Sequence, residues 1–280
     1  MDWGKSSTGM HREKIEYTVH LYFLRLGKHY RAIRKNVTAE TIKPFRIEIK
    51  KLRAFLRLLE MVIRHPARLE LNGPLKKMHK SGGRFRDLQL HRQRVKEAMT
   101  GTIKVNYDKR LLQDIDRAIR KEKKEFLSHD RFNDTEKELK KHLPDDYRVG
   151  DIKEFFRGQL QVIADIIAEA KYRDKQMHTI RKRLKDILYI IKLYSLDLRQ
   201  PLGFRFWNKV RLQHAKETED LLGFLNDSNN ALKLISPGLV NQYGPAEKRM
   251  FLLIRRKLLA EKRKLKEQAI TAVSKLVLTV

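Results

Sequence analysis

Lys43, Arg46, Lys50, Arg53 and Arg57 recur at intervals of three and four residues. At ~100° per residue they fall within an arc of roughly 80° on one helix. Such a row sets guanidinium forks and ammonium charges side by side, chemistry suited to oxyanions. A frame shift of 135 residues finds the row again as His178, Arg181, Lys185 and Lys192. The apolar stripe returns with it: Phe45, Ile49, Leu52 and Leu56 become Ile180, Leu184, Ile187 and Ile191. A solvated helix usually mixes its charge signs. A one-sign row beside a core-facing stripe, present twice, points to a duplicated fold built around a polyanion.

The duplication extends further. Gly83-Arg84-Phe85-Arg86-Asp87 matches Gly223-Phe224-Leu225-Asn226-Asp227 at an offset of 140 residues. The gain of five residues between the two matches is one loop insertion. In each block the glycine permits a close approach by another backbone or a helix irregularity. Asp87 and Asp227 are candidate structural orienters, each able to hold a cation by a charge-assisted hydrogen bond. Arg84 and Arg86 either join the basic row or pair internally with Asp87. Lys182 stands beside the second row. The runs Arg255-Arg256-Lys257 and Lys262-Arg263-Lys264 read instead as a solvated outer face, because Phe251, Ile254 and Leu258 give that helix its buried stripe.

Composition agrees with a polyanionic partner. The chain has 63 Lys+Arg against 34 Asp+Glu, a formal net charge of +29. Such an excess opposes the compact state until a polyanion neutralises it. Nucleic acid is the commonest such partner, followed by anionic membranes and polyphosphate. Hydrophobic residues make up 41% of the 280, enough for a real core rather than a disordered basic tail. There are no cysteines, which removes disulfides and thiolate metal sites and suits a reducing cytosol. Met1 to Ser6 lacks the apolar stretch of a signal peptide, and no run of 18 apolar residues predicts a membrane-spanning helix.

These residues must be positioned by helices. Periodicity predicts them at 8–35, 41–64, 67–98, 105–128, 150–170, 174–197, 204–234 and 245–277, with a further short one near Asn133 to Asp146. That polar stretch also marks the boundary between halves 1–145 and 146–280. Thr41 is the expected N-cap of the second helix, with Pro44 in its first turn. Lys43 would then stand beside free backbone N–H groups, a good seat for a phosphate. An all-α fold with antiparallel neighbours follows.

Four ordered motifs resemble the CHAD family, the conserved-histidine α-helical domain. The segment Ile42-Lys43-Pro44-Phe45-Arg46-Ile47-Glu48-Ile49-Lys50-Lys51-Leu52-Arg53 is similar to that family's V-H-x-x-R-V-x-x-[RK]-[RK]-L-R, with Lys43 in place of the histidine. Gly82-Gly83-Arg84-Phe85-Arg86-Asp87-Leu88-Gln89-Leu90 is similar to L-G-x-x-R-D-x-x-V. His178-Thr179-Ile180-Arg181-Lys182-Arg183-Leu184-Lys185 resembles H-x-x-R-K-x-x-K, and Leu222-Gly223-Phe224-Leu225-Asn226-Asp227 resembles L-G-x-L-N-D. The resemblance implies two pseudo-twofold-related four-helix halves with a basic central groove. It also implies binding of inorganic polyphosphate and association with polyphosphate granules. The Lys43 replacement keeps the charge but frees it from pH, leaving His178 as the titrating contact.

A polyphosphate site needs forks and point charges but no stacking platforms. The row has no interleaved aromatic residue apart from Tyr189, which favours polyphosphate over single-stranded RNA. Nucleic acid remains the open alternative, and a phosphate-transferring or phosphate-hydrolysing enzyme a second. For an enzyme the motifs are missing: there is no H-E-x-x-H, no G-x-x-x-x-G-K-[ST] and no G-x-S-x-G. The E-x-E-x-K strand of triphosphate tunnel enzymes is also missing; Arg46-Ile47-Glu48-Ile49-Lys50 has only one of its two glutamates. No cofactor and no dedicated metal site are expected, and the expected location is the cytoplasm, on polyphosphate granules.

Overall fold

The computed structural model describes residues 9–63, 69–71, 73–100, 109–129, 133–199, 208–236 and 244–276, together with 202, 238, 241 and 242. Helices α1 (Arg12–Lys35), α2 (Ala39–Glu60), α3 (Gly73–Thr100), α4 (Lys109–Leu127) and α5 (Asn133–Lys141) come first. Then follow α6 (Val149–Ala168), α7 (Asp174–Lys192), α8 (Lys209–Lys233) and α9 (Pro245–Ser274). The expected helix ends at 8, 64, 67, 105, 204 and 277 lie outside the described residues. The first helix begins at Arg12 because Met10 and His11 instead form β1. That strand pairs antiparallel with β2 (Asp146–Tyr147), placing Met10 opposite Tyr147. The fold is otherwise all-α among the described residues.

Helices adjacent in sequence pack as pairs: α1 on α2, α3 on α4, α6 on α7 and α8 on α9. Across the middle, α2 packs on α7. These are the two helices that carry the duplicated rows. Phe45, Ile49, Leu52 and Leu56 of α2 are buried, as are Ile180, Leu184 and Ile187 of α7. Each such side chain contributes about 1.5–3 kcal/mol on leaving water. One core cluster runs from Met10 to Val273, and a smaller one joins Val95 and Ile115 to Phe251 and Ile254. The spans 1–145 and 146–280 therefore share their cores rather than each enclosing its own.

Where α7 was expected to continue to 197, the helix widens into a π-turn over Leu193–Asp197, with the Leu198 N–H on the Leu193 carbonyl at 2.9 Å. Asp197 then accepts two hydrogen bonds from Arg25 of α1, at 3.0 and 2.9 Å, and Arg25 also reaches Glu48 of α2 at 3.3 Å. One guanidinium thus ties the end of α7 to both α1 and α2.

The start of α2 differs from expectation. Thr38, not Thr41, is its N-cap. Thr38 Oγ1 accepts the Thr41 N–H at 3.2 Å, and Thr41 Oγ1 accepts the Thr38 N–H at 3.0 Å. This reciprocal box needs a side-chain acceptor at both ends of a three-residue step, which the hydroxyls of Thr38 and Thr41 supply. Pro44 consequently lies inside the helix rather than in its first turn, and Lys43 stands past the first turn, beyond the N–H groups that lack an intrahelical partner. The expected phosphate seat at Lys43 is not formed. Replacing Thr38 with Ala should cost about 1 kcal/mol in urea unfolding, and Ser should restore it. Equal stability of wild type and Thr38→Ala would show that the box does not set the start of α2.

Candidate anion-binding site

The cations of α2 and α7 face one another across a cleft of about 1010 Å³, walled also by α3, α8 and α9. Arg46, Lys50, Arg53 and Arg57 line it from α2; His178, Arg181, Lys182 and Lys185 line it from α7; Arg86 and Asp87 come from α3, and Asp227 from α8. Among the described residues, twelve lysines and arginines line the wall against four aspartates. Among the described residues, no group of three His, Cys, Asp or Glu stands where it could hold a metal ion.

Three expected contacts lie elsewhere. Lys43 is exposed in a separate shallow depression with His29, Glu40 and Lys51. It sits at one edge of the helical arc and near the start of α2, short of the cleft. Lys192 is exposed and off the wall; no described residue draws it inward. Arg84 turns away to Glu122 of α4 at 2.9 Å. Conversely, Arg255 and Lys262, read from sequence as outer-face cations, line the cleft. Arg255 donates to the Ile235 carbonyl at 3.0 Å and Lys262 pairs with Asp174 at 2.6 Å.

The repeated glycines have a specific use. A Cβ at Gly83 would stand 2.4 Å from Arg46 Nη1, and one at Gly223 would stand 3.3 Å from Arg181 Nη2. Both glycines are ordinary helical residues without positive φ. Their missing side chains let the matching arginines lie against α3 and α8. The close approach is therefore by a guanidinium, not by a backbone.

Pairing across the cleft is selective. Arg57 grips Asp186 with two hydrogen bonds, one from Nε at 2.9 Å and a shorter one from Nη2. Arg86 donates to Asp227 at 2.9 Å, so the second orienter holds a cation from α3. Asp87 is touched by Asn230 at 3.5 Å and lies in the field of Arg46; burial raises its pKa, opposed by Arg46 and Arg86. Glu219 stands 3.1 Å from Arg181 Nε and 2.7 Å from Lys185 Nζ. The Arg181 contact is close but misaligned for a hydrogen bond, so it acts through charge. Lys185 also lies 5.6 Å over the Tyr189 ring.

The α2 side is different. Among the described residues, no carboxylate lies within ion-pair distance of Arg46, Lys50 or Arg53, and Arg46 Nη1 is buried without a hydrogen-bond partner. Burial, followed by repulsion from Arg46, Lys185 and Arg181, pushes the Lys50 ammonium down to about 7. Beside them is His79 of α3, which sequence reasoning missed. Its Nε2 is buried and unpartnered, and burial with the fields of Arg46, Lys50 and Arg53 pushes its pKa down to about 3. The signal that would have found it is the 140-residue offset, which pairs His79 with Glu219. His178 is exposed at the opposite side, its Nδ1 3.0 Å from Asn226 Oδ1. Partial burial lowers its pKa, the Asn226 bond opposes this, and Arg181, Lys182 and Lys233 lower it further.

With this geometry in hand, comparison with known proteins places the chain. The CHAD domain family profile matches residues 19–236, and the chain belongs to that family. The crystal structure of the CHAD domain from the plant Ricinus communis superposes with a TM-score of 0.69 at 15% identity. The match covers 95% of this chain and 92% of that one, and it shows a shared fold. No curated protein matches the sequence. No described helix is long and apolar enough to cross a membrane.

Held without counter-charges, these cations cost stability. Lys50 is expected to bind its proton more weakly folded than unfolded. The unfolded state then carries the extra proton between about pH 7 and the normal lysine range, and stability rises with pH across that interval. Lys50→Met should remove this rise and stabilise the free protein by about 1–4 kcal/mol at pH 7. Thermal melts from pH 6 to 10 measure both effects. A destabilised Lys50→Met protein with an unchanged pH slope would mean that Lys50 is not electrostatically frustrated.

Proposed function

We propose that this CHAD-family chain binds inorganic polyphosphate along the α2–α7 cleft and thereby localises to, or organises, polyphosphate granules. In this reading the two helical halves stand in a pseudo-twofold relation, and the basic cleft is their central groove. The observation that carries the proposal is the bank of Arg46, Lys50 and Arg53, with no carboxylate among the described residues within ion-pair distance, an arrangement that costs folding energy unless an anion supplies the missing charge. Membership of a family associated with polyphosphate binding supports the identity of that anion. So does the lining: among the described residues Tyr189 is the one Phe, Tyr or Trp on the wall, and it lies beneath Lys185 rather than free to stack on a base. Non-enzymatic binding is the proposed mode, with affinity from counterion release and multidentate phosphate contacts.

Reversing Arg46 and Lys50 to Glu should weaken binding of long-chain polyphosphate far more than reversing the exposed Arg256 and Lys257. Equal losses would mean that affinity follows bulk charge rather than the cleft. By analogy with single strands, neutralising roughly 6–8 phosphates gives a log–log salt slope of about −4 to −6. A slope near zero would exclude counterion release. A single-stranded RNA of matched charge should bind more weakly; tighter RNA binding would replace polyphosphate with nucleic acid as the ligand.

His178 provides a pH signature. Its pKa is lowered in the free protein, and a phosphate chain beside it favours imidazolium. Binding should therefore tighten as pH falls through the interval between the free and bound values, with proton uptake. Against polyphosphate at fixed ionic strength from pH 5.5 to 8, His178→Lys should reduce this dependence and keep affinity. An unchanged pH profile would assign His178 to packing alone.

A further inference from the structure

The two sides of the cleft match by sequence offset but not by charge. Arg46 and Arg181 correspond, as do Lys50 and Lys185, and Gly83 and Gly223 receive the two guanidiniums alike. The position that faces them differs. On the α7–α8 side it is Glu219, a buried carboxylate between Arg181 and Lys185. On the α2–α3 side it is His79, whose buried Nε2 has no partner, beside an equally unpartnered Arg46 Nη1.

We infer that the α2–α3 corner is a discrete seat for one oligophosphate group, held by Arg46, Lys50, Arg53 and His79, and that Glu219 already occupies the equivalent seat on the other side. A carboxylate and a phosphoryl group present similar acceptor oxygens to a guanidinium and an ammonium. Glu219 thus sits where a phosphate's oxygens would sit. It neutralises Arg181 and Lys185 before any ligand arrives. The α2–α3 corner keeps the buried Arg46 Nη1 and His79 Nε2 for the ligand. His79 adds a neutral ring N–H donor or, beside a bound anion, an imidazolium. This inference rests on the polyphosphate reading and adds a polarity to the cleft: a chain is anchored at the α2–α3 corner and only passes the α7–α8 side.

The same triphosphate chemistry comes from inorganic tripolyphosphate or from a nucleoside triphosphate, so calorimetric titrations with tripolyphosphate and with ATP separate the two sources. Wild type should take one equivalent of the tighter-binding ligand. Arg46→Gln should lower its affinity at least about tenfold more than Arg181→Gln does. Glu219→Ala should open the second seat and raise the stoichiometry to two. If Glu219→Ala does not fold, the Arg46-to-Arg181 ranking decides alone, each variant checked by its helical circular dichroism. Two equivalents in wild type, or equal losses from the two arginine variants, would overturn the inference. Failure of both short ligands while long-chain polyphosphate still binds would also overturn it, leaving the proposed function standing. Failure of long chains as well would remove that function too.

Discussion

Arg46, Lys50 and Arg53 face a cleft in which, among the described residues, no carboxylate stands within ion-pair distance of them, and the rest of the molecule is arranged around that imbalance. Like charges brought together in a half-buried site repel one another and lose hydration. They stay together because each helix that carries them also buries an apolar stripe. Leu52 and Ile49 of α2, and Leu184 and Ile187 of α7, lie in one core that the cleft cannot pull apart. Arg57 on Asp186 and Arg86 on Asp227 lace the walls across the gap while leaving the unpaired bank free. Arg25, joined to Asp197 and Glu48, fixes the π-turn end of α7 against α1 and α2.

Much of this was legible in the sequence. The apolar stripes and the two cation rows gave the faces of α2 and α7, because a 3.6-residue period reports directly which side of a helix is buried. The glycine–aspartate blocks announced close approaches in α3 and α8. The four motifs together pointed to the CHAD family that the profile match places across residues 19–236. Periodicity reports angle, however, and not depth along an axis or the identity of the facing helix. Lys43 and Lys192 lie within the right arc but off the wall of the cleft. Arg255 and Lys262 lie in a run that reads as solvated, yet α9 closes one side of the cleft and brings them in. The Thr38–Thr41 box was missed because either threonine alone satisfies the preference for a hydroxyl cap.

His79 and Glu219 show the same limit more sharply. Each looks like an ordinary polar residue on a long amphipathic helix. Their meaning is relational: one stands beside three unpaired cations and the other between two paired ones. Only the packing of α3 on α2, and of α8 on α7, reveals that the two sides of the cleft carry unlike electrostatic environments. The arginine–glycine contact occurs on both sides while the facing residue differs.

The central claim is that the unpaired cations in the cleft are kept for an anion. The most direct measurement is the titration of the Lys50 amine itself, by nitrogen-detected NMR of labelled lysine side chains, assigned through Lys50→Met. In the free protein its midpoint should lie near about 7, and long-chain polyphosphate should raise it towards the ordinary lysine range. A Lys50 midpoint already near the ordinary lysine value in the free protein, unmoved by polyphosphate, would contradict the account.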